Sequence, residues 1–328
     1  MTPDYDIVHE DKAKGDRVLW SSYLKSTVHQ DWPLDMTYHA ESANLPNMKA
    51  VMARNREDGT HLSSIVWFEN EEENMAWITT YLTEKNARGL GIGSLVWNTA
   101  MERIPKHFNK GLVATTEMEK KYRAKWVPHH DLSEMSYQFA PNLKKGLSSV
   151  VATFPKNGEL VFRDFKSLSG DEIEALIAFD KSVTGRDRSV FLRRYVGYDS
   201  ITASTVLFDA SNKIVGYGAM AEIPQITPKQ YDINAYHIAP LFAVSMEAAS
   251  RVMLKLVEDI QRKDPTAYYF FSTITGTIGE ELTQKLFAFK KPDEKWGPFK
   301  ALYAEPFKNP LDKTRFFLPH SHPFHCDA

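Results

Sequence analysis

The chain of 328 residues has a single cysteine, Cys326. That excludes an intramolecular disulfide and any zinc site built from several thiolates. An excess of one charge sign is also lacking. Lys and Arg number 40 against 42 Asp and Glu, a formal net charge of −2. No overall field draws such a chain to DNA, RNA or an anionic membrane, so neither nucleic acid nor membrane is expected as a partner. No apolar run approaches the ~20 residues that a spanning helix needs. The first residues, MTPDYDIVHEDKAKGD, lack the apolar core of a signal peptide. The expectation is a soluble, cytoplasmic protein. Glycine (16) and proline (17) are not in excess, and 43% hydrophobic residues is a globular composition. The length suits two domains better than one core.

What the chain does have is three glycines in five positions. They lie in ITTYLTEKNARGLGIGSLVWNTAMERI, from Ile78 to Ile104. The stretch runs from β-branched residues, through Arg88-Gly89-Leu90-Gly91-Ile92-Gly93, into an apolar helix pattern stopped by Pro105. It is not a Walker A loop, because Ser94 and Leu95 follow the last glycine where lysine is required. It is not a dinucleotide fingerprint, because the sixth position from Gly89 is Ser94 rather than glycine. It does fit R-x-x-G-x-G. Glycines let a backbone approach a ligand closely and adopt positive φ. The free N–H groups and positive dipole end of the helix beginning near Ser94 suit a pyrophosphate. Arg88 adds a charge-assisted donor.

Around this loop the first half reads as a helix (16–30), a hairpin of strands 47–55 and 60–69 joined through Asp58-Gly59, and a strand at 75–83. The glycine turn, a helix to Ile104, a short strand at 111–118 and a helix at 119–127 follow. Texture changes over PNLKKGLSSVVATFPKNG (141–158), where LSSVVATF is a candidate strand at the seam. The division is placed there, giving domains 1–145 and 146–328. The second half reads as a helix (171–183), strands 200–209, 213–220 and 231–244, and the amphipathic helix 245–263. Strand 267–274, helix 279–289 and strand 299–307 complete it. The shared order suggests two copies of one α+β architecture.

The R-x-x-G-x-G loop, placed after a strand and before an amphipathic helix, resembles the acyl-CoA-binding motif of the GNAT superfamily of N-acyltransferases. The second half, with Asp180, Gly185, Arg188, Phe191-Leu192, Gly216-Tyr217-Gly218 and Ile238 to Ala243, resembles the divergent C-terminal domain of tandem, YitH-like GNAT proteins. The resemblance implies two tandem folds of this kind, each a mixed, mostly antiparallel sheet flanked by helices. It implies acetyl-CoA (coenzyme A) as co-substrate, with the pyrophosphate on Arg88, Gly89, Leu90, Gly91, Ile92, Gly93 and Ser94. The strand before the loop would splay and offer backbone groups of Leu82 and Thr83 to the pantetheine arm. Tyr122 stands where the family places a tyrosine that protonates the departing thiolate, a role suited to a phenol of pKa ~10. The same tyrosine also lies in a stripe with Met118 and Trp126 that would serve for packing.

The implied reaction is direct acetyl transfer to a primary amine, borne by a small molecule or a peptide. No base stands out: Glu84, Glu117 and Glu119 lie near the relevant segments, and a water relay serves as well. An acyl-CoA-binding sensor or scaffold on the same fold is the alternative. In the second half APLFAVSMEA has no glycine for close approach, so no full second coenzyme A site is expected, though Ser245 is placed to cap the helix. Asp180, Arg186, Asp187 and Arg188 are polar candidates for an acceptor-pocket wall; surface ion pairs are the other reading. His129-His130 and the tail PHSHPFHCDA are read as surface and as no metal site.

Overall fold

A computed structural model describes residues 4–29, 45–128, 134–155, 159–223, 234–288, 292 and 294–319. The first half runs β1 (Tyr5–His9), α1 (Glu10–Gly15), α2 (Arg17–His29), β2 (Met48–Asn55), β3 (His61–Asn70) and β4 (Met75–Thr83). It continues with α3 (Ile92–Arg103), β5 (Asn109–Ala114), α4 (Thr116–Arg123), β6 (Val127–Pro128) and β7 (Glu134–Pro141). The second half runs α5 (Leu143–Ala152), β8 (Val161–Arg163), α6 (Gly170–Thr184), α7 (Ser189–Tyr195), β9 (Ile201–Phe208) and β10 (Ile214–Ile223). Then come β11 (Ala235–Ala243), α8 (Met246–Gln261), β12 (Tyr268–Ile274), α9 (Ile278–Leu286), β13 (Glu294–Tyr303) and β14 (Phe316–Leu318).

Local chemistry sets several of these boundaries. The Asp16 carboxylate accepts the Val18 and Leu19 N–H groups at 3.1 and 3.0 Å, capping α2. Gly59, at φ +74°, turns the β2–β3 hairpin. Ser169 and Glu172 form a reciprocal capping box on α6. The seam segment read as a strand, LSSVVATF, is instead the body of α5 and the turn after it. Leu143, Leu147 and Val150 recur at helical spacing and are buried, and the helix packs on α8 and α9. The helical period outweighed the β-branched Val150-Val151 pair. No helix among the described residues is long and apolar enough to cross a membrane. His129, His130, His320, His322, His325 and Cys326 lie outside the described residues.

Pairing orders twelve strands as β1-β2-β3-β4-β5-β13-β7-β12-β11-β10-β9-β8. The two parallel contacts are β4–β5 and β11–β12; all the others are antiparallel. The order is a palindrome about the β13–β7 contact. Six strands stand on each side, and the halves exchange the innermost one. β7, encoded in the first half, pairs with β12; β13, encoded at the end of the second, pairs with β5. One core lies under α3 (Trp67, Ile78, Ile92, Val96, Leu112) and another under α8 (Ile238, Val252, Leu256, Phe271). A third holds Tyr23, Trp77 and Tyr303 together with Phe191, Tyr217 and Phe242, so the halves share buried surface as well as strands.

Candidate active site

The site begins with a break in the sheet. β4 and β5 pair from Met75–Asn109 to Ile78–Leu112 and then separate, although β4 continues to Thr83. On its other side β4 stays paired with β3, with a register shift that leaves Thr79 bulged between Val66–Thr80 and Trp67–Ile78. A bulge bends its strand and increases local twist. Here it coincides with the separation, and a wedge opens between β4 and β5.

Alternation along β4 decides which backbone groups look into that wedge. The Glu84 N–H donates to the Leu62 carbonyl at 2.9 Å, so residues 84, 82 and 80 direct both backbone groups to β3. Leu82, expected to face the arm of a ligand, is thus turned to β3, and its carbonyl also accepts the Ser63 hydroxyl at 2.9 Å. Thr83 and Tyr81 direct theirs to the wedge. The Thr83 carbonyl accepts Arg88 Nε at 3.0 Å, which folds Arg88 back across the wedge mouth.

Eight residues separate β4 from α3. A short 3-10 turn, Lys85–Ala87, leads into the glycines. Gly89 and Gly91 have φ of +76° and +81°, a left-handed conformation that side-chain-bearing residues adopt at a cost. A Cβ at either position would meet no protein atom within 4 Å, so the space before them is open. Gly91 is the N-cap of α3 and supplies no side-chain cap. The first N–H groups of α3 thus receive no side-chain cap from Gly91, the arrangement of an anion-binding helix end. Leu90 and Leu95 expose apolar surface beside it, and Ser94 is exposed while Ile92 is buried in the α3 core. The second half is built otherwise. Only Val244 and Ser245 separate β11 from α8, and Ser245 Oγ accepts the Ala248 N–H at 3.2 Å. Ser245 thus caps α8, as the sequence suggested.

Across the wedge from β4 stands α4. Tyr122 is half-buried there, its ring 5.6 Å from Trp97 on α3 and 6.1 Å from Trp126. Trp97 in turn lies 5.1 Å from Tyr81. Burial, with the neighbouring Tyr81, pushes the Tyr122 phenol well above its usual value, so it keeps its proton. The three candidate bases fare unequally. Glu117 is exposed, Glu119 is ion-paired with Arg123 at 2.6 Å, and Glu84 faces a histidine. Its carboxylate lies 3.6 Å from Nδ1 of His61, a buried imidazole that also meets Ser26 Oγ at 3.2 Å. Burial lowers the His61 pKa, with Glu84 opposing. Sequence reasoning missed His61, Tyr81 and Trp97. Tyr81 shares a strand face with Thr83, and Trp97 follows Gly93 by one turn; those two spacings were the available signal.

The polar candidates of the second half do not reach the wedge. Asp180 is fully buried and takes Arg188 Nε at 3.0 Å and the Tyr217 hydroxyl. Arg188 also lies over the rings of Phe191 and Phe242. Arg186 is buried against Glu73 at 2.9 Å, in the β3–β4 turn at the far end of β4 from the glycine loop. Asp187 remains at the surface with Lys181. Three of the four are buried structural pairs, and Arg186 ties the halves together.

With this geometry described, the chain can be set beside known proteins. No protein-family model matches it. An uncharacterized protein of Caenorhabditis elegans is 24% identical over 328 residues, with 98% of each chain covered. Among solved structures, a candidate acetyltransferase of Pyrococcus horikoshii superposes with a TM-score of 0.63 at 15% identity, covering 99% of this chain and 96% of that one. A tandem GNAT protein from clavulanic acid biosynthesis gives 0.62 at 14%, covering 93% and 100%. An N-myristoyltransferase of Saccharomyces cerevisiae, solved with myristoyl-CoA, gives 0.60 at 12%, covering 98% and 84%. The fold is that of the GNAT acyl-CoA N-acyltransferases in tandem, a mixed, mostly antiparallel sheet with flanking helices.

Proposed function

We propose that this chain is an acyl-CoA-dependent N-acyltransferase, with acetyl-CoA as donor and a primary amine of a small molecule or peptide as acceptor. The observation that carries the reading is the uncapped N-terminus of α3, with Gly89 and Gly91 at positive φ before open space, at the mouth of the β4–β5 wedge. Amide groups from Gly89 to Ser94 and the Arg88 guanidinium would hold the pyrophosphate. Thr83 and Tyr81 would offer backbone groups to the pantetheine arm, in place of the Leu82 and Thr83 pair.

The donor supplies a thioester carbonyl open to attack by an amine. The residues of this chain position it and move a proton. A strand N–H beside the Thr79 bulge would support the oxyanion, a preorganised dipole in a half-buried site. Tyr122 would donate its phenolic proton to the departing sulfur and regain one, through water, from the nitrogen that forms the amide; its raised pKa keeps it protonated at neutral pH. Holding amine and thioester together accounts for the rest of the acceleration.

A second reading, an acyl-CoA sensor or scaffold, is favoured by one observation. Of the three carboxylates near the site, Glu117 faces solvent, Glu119 is tied to Arg123 and Glu84 is engaged with His61. Thiol release from acetyl-CoA over a panel of small amines, polyamines, amino acids and peptides separates the readings. Release that falls in Tyr122→Phe supports the enzyme; tight binding with no release on any amine supports the sensor.

A further inference from the structure

The second half repeats the wedge but fills it. β11 and β12 pair only at Ala235–Tyr268, Tyr236–Tyr269 and His237–Phe270, although the strands run on to Ala243 and Ile274. Into the gap comes β14, from near the end of the chain. Leu318 pairs with Leu241 and Phe316 with Phe242, both antiparallel, and the Ala243 N–H donates to the Arg315 carbonyl at 3.0 Å. β14 also packs on β12 and on α9. Phe317 and Leu318 are fully buried in the α8 core, and the Phe316 ring lies 4.8 Å from that of Phe242.

The surroundings are shaped to admit a main chain. Gly279, the second residue of α9, faces Phe317 without a side chain. A Cβ there would lie 1.7 Å from the Phe317 carbonyl oxygen. The Ile278 N–H donates to the Lys313 carbonyl at 2.9 Å, and the Asp312 N–H to the Val183 carbonyl at 2.7 Å. Arg315 reaches Asp312 at 2.6 Å and Ser182 Oγ at 3.0 Å.

Two strands that part leave a rim of backbone groups, which an extended ligand with matching donors and acceptors satisfies. In the first wedge no strand among the described residues pairs with Thr79–Thr83 on the β5 side, and a glycine cradle lies at its mouth. In the second the rim is taken by peptide, and the helix end is capped by Ser245. We infer that the second wedge is a peptide-strand site, occupied in cis by Phe316–Leu318 and closed to an acyl donor. The chain accordingly takes one acyl-CoA, a consequence that rests on the reading of the first wedge as the donor site.

Hydrogen exchange on the full chain without ligand tests the strand site directly. The amides of Ala243 and Ile278, both bonded to the tail, are expected to exchange at least about 100-fold more slowly than unstructured amides. Gly279→Val places carbon on the Phe317 carbonyl and should raise both rates at least about tenfold, leaving the β2–β3 hairpin amides unchanged. Fast exchange at Ala243 and Ile278 in the wild type, or full protection in a folded Gly279→Val, overturns the inference. The wild-type measurement decides alone if the variant does not fold. Native mass spectrometry with acetyl-CoA then counts donors. One per chain supports the closed second wedge and two overturn it. None, with the tail protected, leaves the strand site standing and sinks the donor-site reading instead.

Discussion

Replacing Gly91 with alanine separates the backbone role of the glycine loop from its ligand role. Gly91 sits at φ +81°, where a Cβ costs about 1–2 kcal/mol. No protein atom lies within 4 Å of the added methyl, so no clash adds to that cost. The apparent melting temperature should drop by about 1.5–3 °C, at roughly 1.5 °C per kcal/mol for a chain of this length. Gly59 in the β2–β3 hairpin supplies the control. Its φ is +74°, and a methyl there makes ordinary contact with Val18 at 3.4 Å. Gly59→Ala should destabilise by a similar amount and leave coenzyme A binding unchanged. In Gly91→Ala the methyl occupies the open side of the α3 N-terminus, where a phosphate would meet backbone N–H groups. Loss of one hydrogen bond to a charged group, about 1.5–3 kcal/mol, weakens binding by about 10- to 150-fold. Isothermal titration with coenzyme A, alongside thermal unfolding, reads both effects. Equal melting shifts with equal coenzyme A affinity in the two variants would refute the assignment of the loop.

Arg88→Ala should weaken coenzyme A by about 10-fold or more through loss of a charge-assisted contact, read in the same titration. Tyr122→Phe should leave acetyl-CoA affinity within a factor of two while thiol release falls about 10²–10⁴-fold, the span of general acid catalysis. Arg186→Met leaves the Glu73 carboxylate without its buried cation and should cost about 3–5 kcal/mol in denaturant unfolding. Burial lowers the folded-state pKa of His61 below 6.5. Below pH 6.5 the unfolded chain takes a proton that the folded chain resists, so stability is present above that pH and is lost as pH falls. His61→Gln should flatten the decline in melting temperature measured from pH 7 down to pH 5.

The glycine loop was legible because its signal is local. Seven consecutive residues carry it, and a missing lysine and one residue of spacing separate it from the Walker A and dinucleotide loops. The hairpin at Gly59 and the α8 stripe were legible for the same reason. The strand exchange was not. β7 does alternate, with Met135, Tyr137 and Phe139 between Ser136 and Gln138, but its partners β12 and β13 lie more than a hundred residues away. Nothing in the spacing of Asp180, Arg186 and Arg188 showed that Tyr217 and Glu73 would come to meet them in the interior. That the Leu82 backbone groups face β3 was not legible, because direction along β4 depends on its register with β3. β14 is three residues long and has meaning only beside Leu241 and Phe242.

The most direct test of the donor site is a crystal structure of the chain with coenzyme A. The expected density has pyrophosphate against the amides from Gly89 to Ser94, the pantetheine arm between β4 and β5 alongside Tyr81 and Thr83, and the thiol end toward Tyr122. Coenzyme A seated between β11 and β12 with β14 displaced, or lodged away from both wedges, would contradict it.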